Sequence, residues 1–236
     1  KNGKYLIASK GFEVNSGLLQ SELLENNFDI SSNNIAVISG PNHAEEIIAG
    51  MASATVIASS KESYAKELQD ILSSDTFRVY TSDDIIGVQI GAAVKNVIAI
   101  ASGLSVGLNM GDNTQAALVS RGMNEILSLN VSYNFKNKTL YGLSGLGDLI
   151  ATCYSPHSRN RQLGILIARG YSLEDAKAEI GMVSEGVNTS RILNSIIVNN
   201  NLEMPICSEV FKILFKGCDP KSSLDRLMTR TLKVEN

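Results

Sequence analysis

The strongest constraint on this chain is a change of grammar near residue 82. Before that point, short apolar runs alternate with segments of helical spacing. Tyr5-Leu6-Ile7-Ala8 reads as a buried strand, Leu18 to Glu25 as a helix, and Ile35-Ala36-Val37-Ile38 as a second strand. Ser39-Gly40-Pro41 leads into a helix from Glu45 to Ala49, followed by a third strand, Ala54 to Ala58. Lys61 to Leu72 is a further helix, and Phe77 to Tyr80 a fourth strand. Such alternation predicts an α/β layer with a largely parallel sheet. After Asp83 the pattern is helical only, over about 84–105, 112–129, 146–153, 158–169, 173–179, 187–199, 207–215 and 221–230. Gly145-Leu146-Gly147, Gly170 and Pro205 punctuate these helices. The fold class is therefore α/β followed by all-α. No repeat or low-complexity linker intervenes, so the two parts are expected to pack closely.

Bulk chemistry narrows the partners. A formal net charge of −3 over 236 residues leaves no electrostatic footprint for nucleic acid or an anionic membrane. An anionic small molecule would need a local basic site. Cys153, Cys207 and Cys218 lack metal-ligand spacing and read as reduced cytosolic thiols. His43 and His157, far apart in sequence, argue against zinc, so no metal is expected. The longest apolar stretch, Ile85 to Ala101, contains Gln89, Lys95 and Asn96, which disfavours a membrane span. No secretory signal is visible in Lys1 to Ala8. The chain opens without methionine, as a piece of a longer protein would.

Lys95 is the most informative residue. The segment around it is apolar on every face, the pattern of a buried central helix. A buried ammonium is costly unless paired or functional. Lys95 could be a structural ion pair or a snorkelling side chain. It could equally face a cleft, where desolvation brings its pKa toward neutrality and equips it to exchange a proton with a hydroxyl or carbonyl. Gly87 and Gly91, one turn apart, would let a backbone or a ligand approach this helix.

Three other places carry polar chemistry. Ser158 is a good N-cap, and Arg159 beside it would make a phosphate cradle; the plain alternative is a capped surface helix with solvated arginines. Lys10 and the segment Gly40 to Ala44 follow strands, and ligands of open α/β sheets sit beyond the carboxyl ends of strands. Lys10 could also be a solvated turn residue. Asp148 opens a helix, either as a simple cap or as the partner of Lys95. Gly142-Leu143-Ser144-Gly145-Leu146-Gly147 imitates part of a dinucleotide-binding fingerprint, but it follows no strand and reads as a tight interhelical turn.

Taken together these segments resemble the bacterial-type NAD(P)-dependent glycerol-3-phosphate dehydrogenase family. The stretches that carry the resemblance are Ser9-Lys10-Gly11, Ile38 to Glu46, Gly87 to Ala99, Asn113 to Glu125, Gly145 to Leu149, Ser158-Arg159-Asn160-Arg161 and Val183-Ser184-Glu185-Gly186. Their order and spacing agree over essentially the whole chain. The resemblance implies a partial Rossmann-like sheet in residues 1–82, the C-terminal part of a dinucleotide-binding domain, lacking its first βαβ part with the glycine-rich pyrophosphate turn. It implies a helical substrate-binding and catalytic domain in residues 83–236.

The implied reaction is reversible reduction of dihydroxyacetone phosphate to sn-glycerol 3-phosphate with NAD or NADP as cofactor, feeding phospholipid synthesis in the cytoplasm. Lys95 would be the general acid/base. Lys10, Gly40, Asn42, Asp148, Ser158, Arg159 and Asn160 would bind substrate with it. Lys10, Ala44, Arg159, Val183 and Glu185 would contact the cofactor. Asn42 stands where the family usually has Ser or Thr, and an amide still donates and accepts hydrogen bonds. A homodimer is the candidate assembly. Two alternatives stay open at this stage. One is a related hydroxy-acid dehydrogenase, which places its asparagine one turn after the lysine, where this chain has Ala99. The other is a catalytically impaired fragment serving as a folded or self-associating helical domain.

Overall fold

The computed structural model describes residues 3–181, 185–232 and 234. Its first part contains β1 (Tyr5–Ile7), α1 (Gln20–Phe28), β2 (Ile35–Ser39), α2 (Ala44–Ile48), β3 (Ser53–Ser59), α3 (Glu62–Leu72) and β4 (Phe77–Ser82). The strands form one sheet in the order β1-β2-β3-β4. The pairs β1/β2 and β3/β4 are parallel, with Tyr5 opposite Ile35 and Val56 opposite Tyr80. The pair β2/β3 is antiparallel, with Val37 opposite Ala58.

The sheet is thus largely parallel, as expected, with one antiparallel pair, β2/β3, that the strand–helix rhythm did not announce. A parallel return needs a crossover of a dozen or more residues, usually a full helix. α1 and α3 provide such crossovers. The β2–β3 connection carries the 5-residue α2 and no full helix. Instead the chain reverses at Gly40-Pro41. The Asn42 amide donates to Ser53 Oγ and to the Ala54 carbonyl oxygen, both at 3.0 Å, and Ser53 Oγ donates to the Pro41 carbonyl oxygen at 3.2 Å. These bonds staple the end of β2 to the start of β3.

The second part is helical: α4 (Ile85–Gly107), α5 (Asp112–Ser128), α6 (Asn130–Tyr133), α7 (Asn137–Leu140), α8 (Asp148–Tyr154), α9 (Arg159–Ala168), α10 (Leu173–Ile180), α11 (Glu185–Asn199), α12 (Pro205–Lys216) and α13 (Pro220–Met228). A π-helical turn, Leu143–Gly147, runs directly into α8. The long predicted helices are present with their ends within a few residues of expectation. The short α6 and α7 have too few residues to show a period in the sequence.

α4 is the axis of the molecule. Every residue from Gly87 to Ser105 is buried. One side of its first turns joins Val88 to Val37 and Ala58 on one face of the sheet. The opposite face of the sheet packs Ala36, Ile57 and Val79 on Tyr64 and Ala65 of α3. Further along, Val94, Val97, Ile98 and Ile100 enter the large helical core with Leu149, Leu163, Leu193 and Val210. Each such side chain contributes about 1.5–3 kcal/mol on burial. α4 is long and apolar enough to cross a membrane, but it is almost wholly covered by its own protein.

The N-cap Asp84 anchors this axis. Its carboxylate accepts from the Gly87 amide at 2.9 Å, the Lys136 amide at 2.9 Å and Thr139 Oγ1 at 2.6 Å. Two glycine contacts then set where α9 begins. A side chain at Gly103 would run into the backbone of Arg161, and one at Gly164 into the backbone of Ile100. α4 and α9 therefore touch backbone to backbone, which holds the start of α9 beside Lys95 and Asn96.

Candidate active site

Lys95 projects from the middle of α4 and is 5% exposed. Its ammonium donates to Asp148 Oδ1 at 2.5 Å and to Thr152 Oγ1 at 2.7 Å. Asp148 and Thr152 are one turn apart on α8, so they share a face. Gly91 makes room for this approach: a Cβ there would lie 2.8 Å from the Ser144 carbonyl oxygen in the π-helical turn. The other glycine of α4, Gly87, lies against the Asp84 carboxylate and belongs to the cap rather than to the cleft.

Lys10, on the loop after β1, reaches the same carboxylate from the sheet side. Its ammonium donates to Asp148 Oδ2 at 2.8 Å and to the Gly40 carbonyl oxygen at 3.4 Å. Ser39 Oγ, at the end of β2, also donates to Asp148 Oδ2, at 3.3 Å. Asp148 is 2% exposed and sits between two cations. The pairing of Lys95 with Asp148, one of two readings open from the sequence, is the one the fold adopts.

Burial pushes the Lys95 ammonium down to about 8. Asp148 pulls the other way and Lys10 adds to the lowering. Desolvation thus outweighs the ion pair, and the group stands where it can give up or take a proton near neutral pH.

Residues 84–225 match the model of the NAD-dependent glycerol-3-phosphate dehydrogenase C-terminus, and residues 1–65 match its N-terminus. The chain belongs to the NAD-dependent glycerol-3-phosphate dehydrogenase family. A glycerol-3-phosphate dehydrogenase [NAD(P)+] of Clostridium acetobutylicum is 44% identical, over 96% of this chain and 68% of its own length. One from Oceanobacillus iheyensis is 45% identical, over 97% of this chain and 66% of its own length. The crystal structure of the Coxiella burnetii glycerol-3-phosphate dehydrogenase superposes with a TM-score of 0.91 at 35% identity, covering 96% of this chain and 69% of that one. The chain thus spans about two thirds of the length of the relatives it matches.

In this dehydrogenase chain the Ser-Arg-Asn-Arg turn opens α9, as its capping pattern predicts. Ser158 Oγ accepts from the Arg161 amide at 3.3 Å. Asn160 ties three elements together: it donates to Asn96 Oδ1 and accepts from the Gly186 amide, both at 3.0 Å. Asn96 in turn donates to Glu185 Oε2 at 3.2 Å. Ser158 and Asn160 are buried, whereas Arg159 is exposed and its guanidinium makes no hydrogen bond to another described residue.

The cluster of Lys95, Asp148, Lys10, Gly40 and Ser39 is one group. Asn160, Asn96 and Glu185 form a second group at the start of α9, which Ser158 and Arg159 open, and it is linked to the first through the adjacent positions 95 and 96. Asn42 is half-buried at the β2–β3 staple, and Ala44 is exposed at the start of α2. Val183 lies outside the described residues.

Sequence reasoning missed Thr152, Ser39 and Asn96. Thr152 had a usable signal, its i+4 spacing from Asp148 on a helix. The two histidines are far apart in sequence, yet the His43 and His157 ring centres lie 6.1 Å apart.

Proposed function

We propose that this chain carries the substrate-binding and proton-transferring part of an NAD(P)-dependent glycerol-3-phosphate dehydrogenase, which interconverts dihydroxyacetone phosphate and sn-glycerol 3-phosphate in the cytoplasm. The observation that carries this reading is the buried Lys95–Asp148–Lys10 arrangement at the carboxyl ends of β1 and β2.

An ammonium has three N–H donors. Asp148 and Thr152 take two of those on Lys95, which leaves one for a substrate oxygen. In the reducing direction Lys95 donates its proton to the C2 oxygen of the ketone as that oxygen gains charge. In the oxidising direction the neutral amine takes the hydroxyl proton back. Asp148 orients the amine throughout. It is not stranded when Lys95 becomes neutral, because Lys10 and Ser39 still occupy Oδ2. Gly40 and Asn42 shape the wall that β2 presents to the substrate.

Arg159 is the residue for the phosphoryl group, with Ser158 and Asn160 fixing the turn that presents it. The dinucleotide would lie along the same wall. Arg159 is a cation with no carboxylate hydrogen-bonded to it among the described residues, and Ala44 and Glu185 are exposed; these and Lys10, together with Val183 outside the described residues, are the contacts assigned to the cofactor. Once bound, the nicotinamide supplies or accepts the hydride.

Oxidation of NADH or NADPH by the full-length protein tests this reading. Turnover should require dihydroxyacetone phosphate. Equal turnover with dihydroxyacetone lacking the phosphate would contradict it.

A further inference from the structure

The geometry points to His43 and His157 as a pair of additional donors to the substrate's phosphoryl group, closing the phosphate end of the site from opposite sides. The inference rests on the reading of Arg159 given above.

Gly40 faces the lysine cluster, and Pro41 borders Gly147 at the start of α8. The loop then passes Asn42, whose amide is stapled to β3, and delivers His43 two residues beyond Pro41. On the other side, the link between α8 and α9 delivers His157 next to the Ser158 cap, with its backbone amide held by Ser155 Oγ at 3.1 Å. The two imidazoles therefore come from the two halves of the molecule. They meet at 6.1 Å between ring centres with planes inclined at 52°. Rings at that distance and tilt are not stacked, and one anion beside the pair could take an N–H from each. Neither ring donates a hydrogen bond to another described residue.

Charged groups close to the pair include Arg159 on α9 and Glu45 on α2. Glu45 is held below the usual carboxylate range by its own backbone amide, with His157, His43 and Arg159 adding to the lowering. Three nitrogenous side chains thus converge within electrostatic reach of one carboxylate at the mouth of the site. A phosphate monoester is a better match for them than Glu45 alone. It carries up to two negative charges and three acceptor oxygens. Ser158 Oγ accepts from the Arg161 amide and Asn160 spends one amide N–H on Asn96, so two imidazoles would add donors to those that Arg159 and the start of α9 offer.

The test uses the fact that the chain has two histidines. With the imidazole carbons labelled, glycerol 3-phosphate, glycerol and NADH are titrated in separate arms while NMR follows the two rings. Calorimetry on the same samples gives affinities. Glycerol 3-phosphate should move both imidazole signals in one saturable process, and glycerol should move neither. His43→Ala and His157→Ala should each weaken glycerol 3-phosphate by about 10- to 100-fold, the loss expected for one hydrogen bond to a charged group, with the melting temperature unchanged. The pair His43→Gln and His157→Gln should recover part of that affinity, because an amide still donates.

Calorimetric binding of glycerol 3-phosphate with silent imidazoles and unchanged affinity in the Ala variants would overturn the histidine role and leave the site reading standing. Movement with NADH alone would assign the pair to the cofactor and overturn it as stated. No binding of glycerol 3-phosphate would overturn this inference together with the site reading beneath it.

Discussion

Lys95 and Asp148, 53 residues apart in the chain, meet at 2.5 Å between α4 and α8, both almost fully buried. Asp148 gives its second oxygen to Lys10 at 2.8 Å, so one carboxylate organises two cations from two halves of the protein. A buried charge whose partner is removed is strongly destabilising, by about 3–5 kcal/mol. The arrangement therefore couples the stability of the domain contact to the chemistry it positions.

Asp148→Asn tests that coupling. It leaves two lysines facing each other without an anion. Asp148 is the charge that holds the Lys95 ammonium up against burial, so its loss should lower the Lys95 pKa further. The falling limb of the pH profile for ketone reduction should move to lower pH, and the protein should lose about 3 kcal/mol of stability. An unmoved limb in kcat/KM would remove Asp148 from the role assigned to it.

The wild-type pH profile follows from the same group. Reduction needs the charged amine, and oxidation needs the neutral one. With Lys95 at about 8, kcat/KM for dihydroxyacetone phosphate should fall as pH rises through about 8. Over the same range kcat/KM for glycerol 3-phosphate should rise. Parallel profiles in the two directions would show that another group controls the proton.

Much of this site was legible because Lys95 is a charge in an otherwise apolar segment, and folded chains rarely tolerate that without a partner. The Ser158 cap was legible for a similar local reason. Thr152 carries a weaker signal, its spacing from Asp148, which places both on one helical face. Long-range geometry was less accessible. The strand-then-helix rhythm around α2 looked like a crossover, yet α2 is too short to span one, and the Asn42 staple that fixes the antiparallel return acts between side chains. The glycine-rich segment 142–147, read as a tight turn, is a π-helical turn, whose wider hydrogen bonding has no signature in composition. The approach of His43 to His157 depends on how the two halves dock.

Gly164→Ala probes the α4–α9 contact. A methyl group there would press on the Ile100 backbone. Overpacking of this kind costs about 1–3 kcal/mol. The start of α9 should shift with it, so KM for the phosphorylated substrate should rise more than kcat falls. A variant with normal KM and normal melting temperature would show that the contact has slack.

Glu125 predicts a pH dependence remote from the site. Burial pushes its carboxyl up to about 7, although it accepts from the Ile206 amide at 2.7 Å and the Cys207 amide at 3.0 Å. A raised carboxyl pKa in the fold means the folded state binds the proton more tightly than the unfolded one. The associated destabilisation is absent well below the unfolded value of 4.5 and complete above about 7. Relative to Glu125→Gln, the wild-type melting temperature should therefore fall between pH 5 and pH 8. The change should be on the order of 3 kcal/mol. Parallel stability curves would contradict the assignment.

The most direct measurement is steady-state turnover of the full-length enzyme carrying Lys95→Met. Methionine keeps the apolar stem, and Asp148 keeps Lys10 as a partner, so the fold should survive with its melting temperature near wild type. Loss of a positioned acid/base should reduce kcat by about 10²–10⁴-fold, while glycerol 3-phosphate still binds through the Arg159 side of the site. A folded Lys95→Met enzyme that retains kcat within a few-fold of wild type would contradict the account.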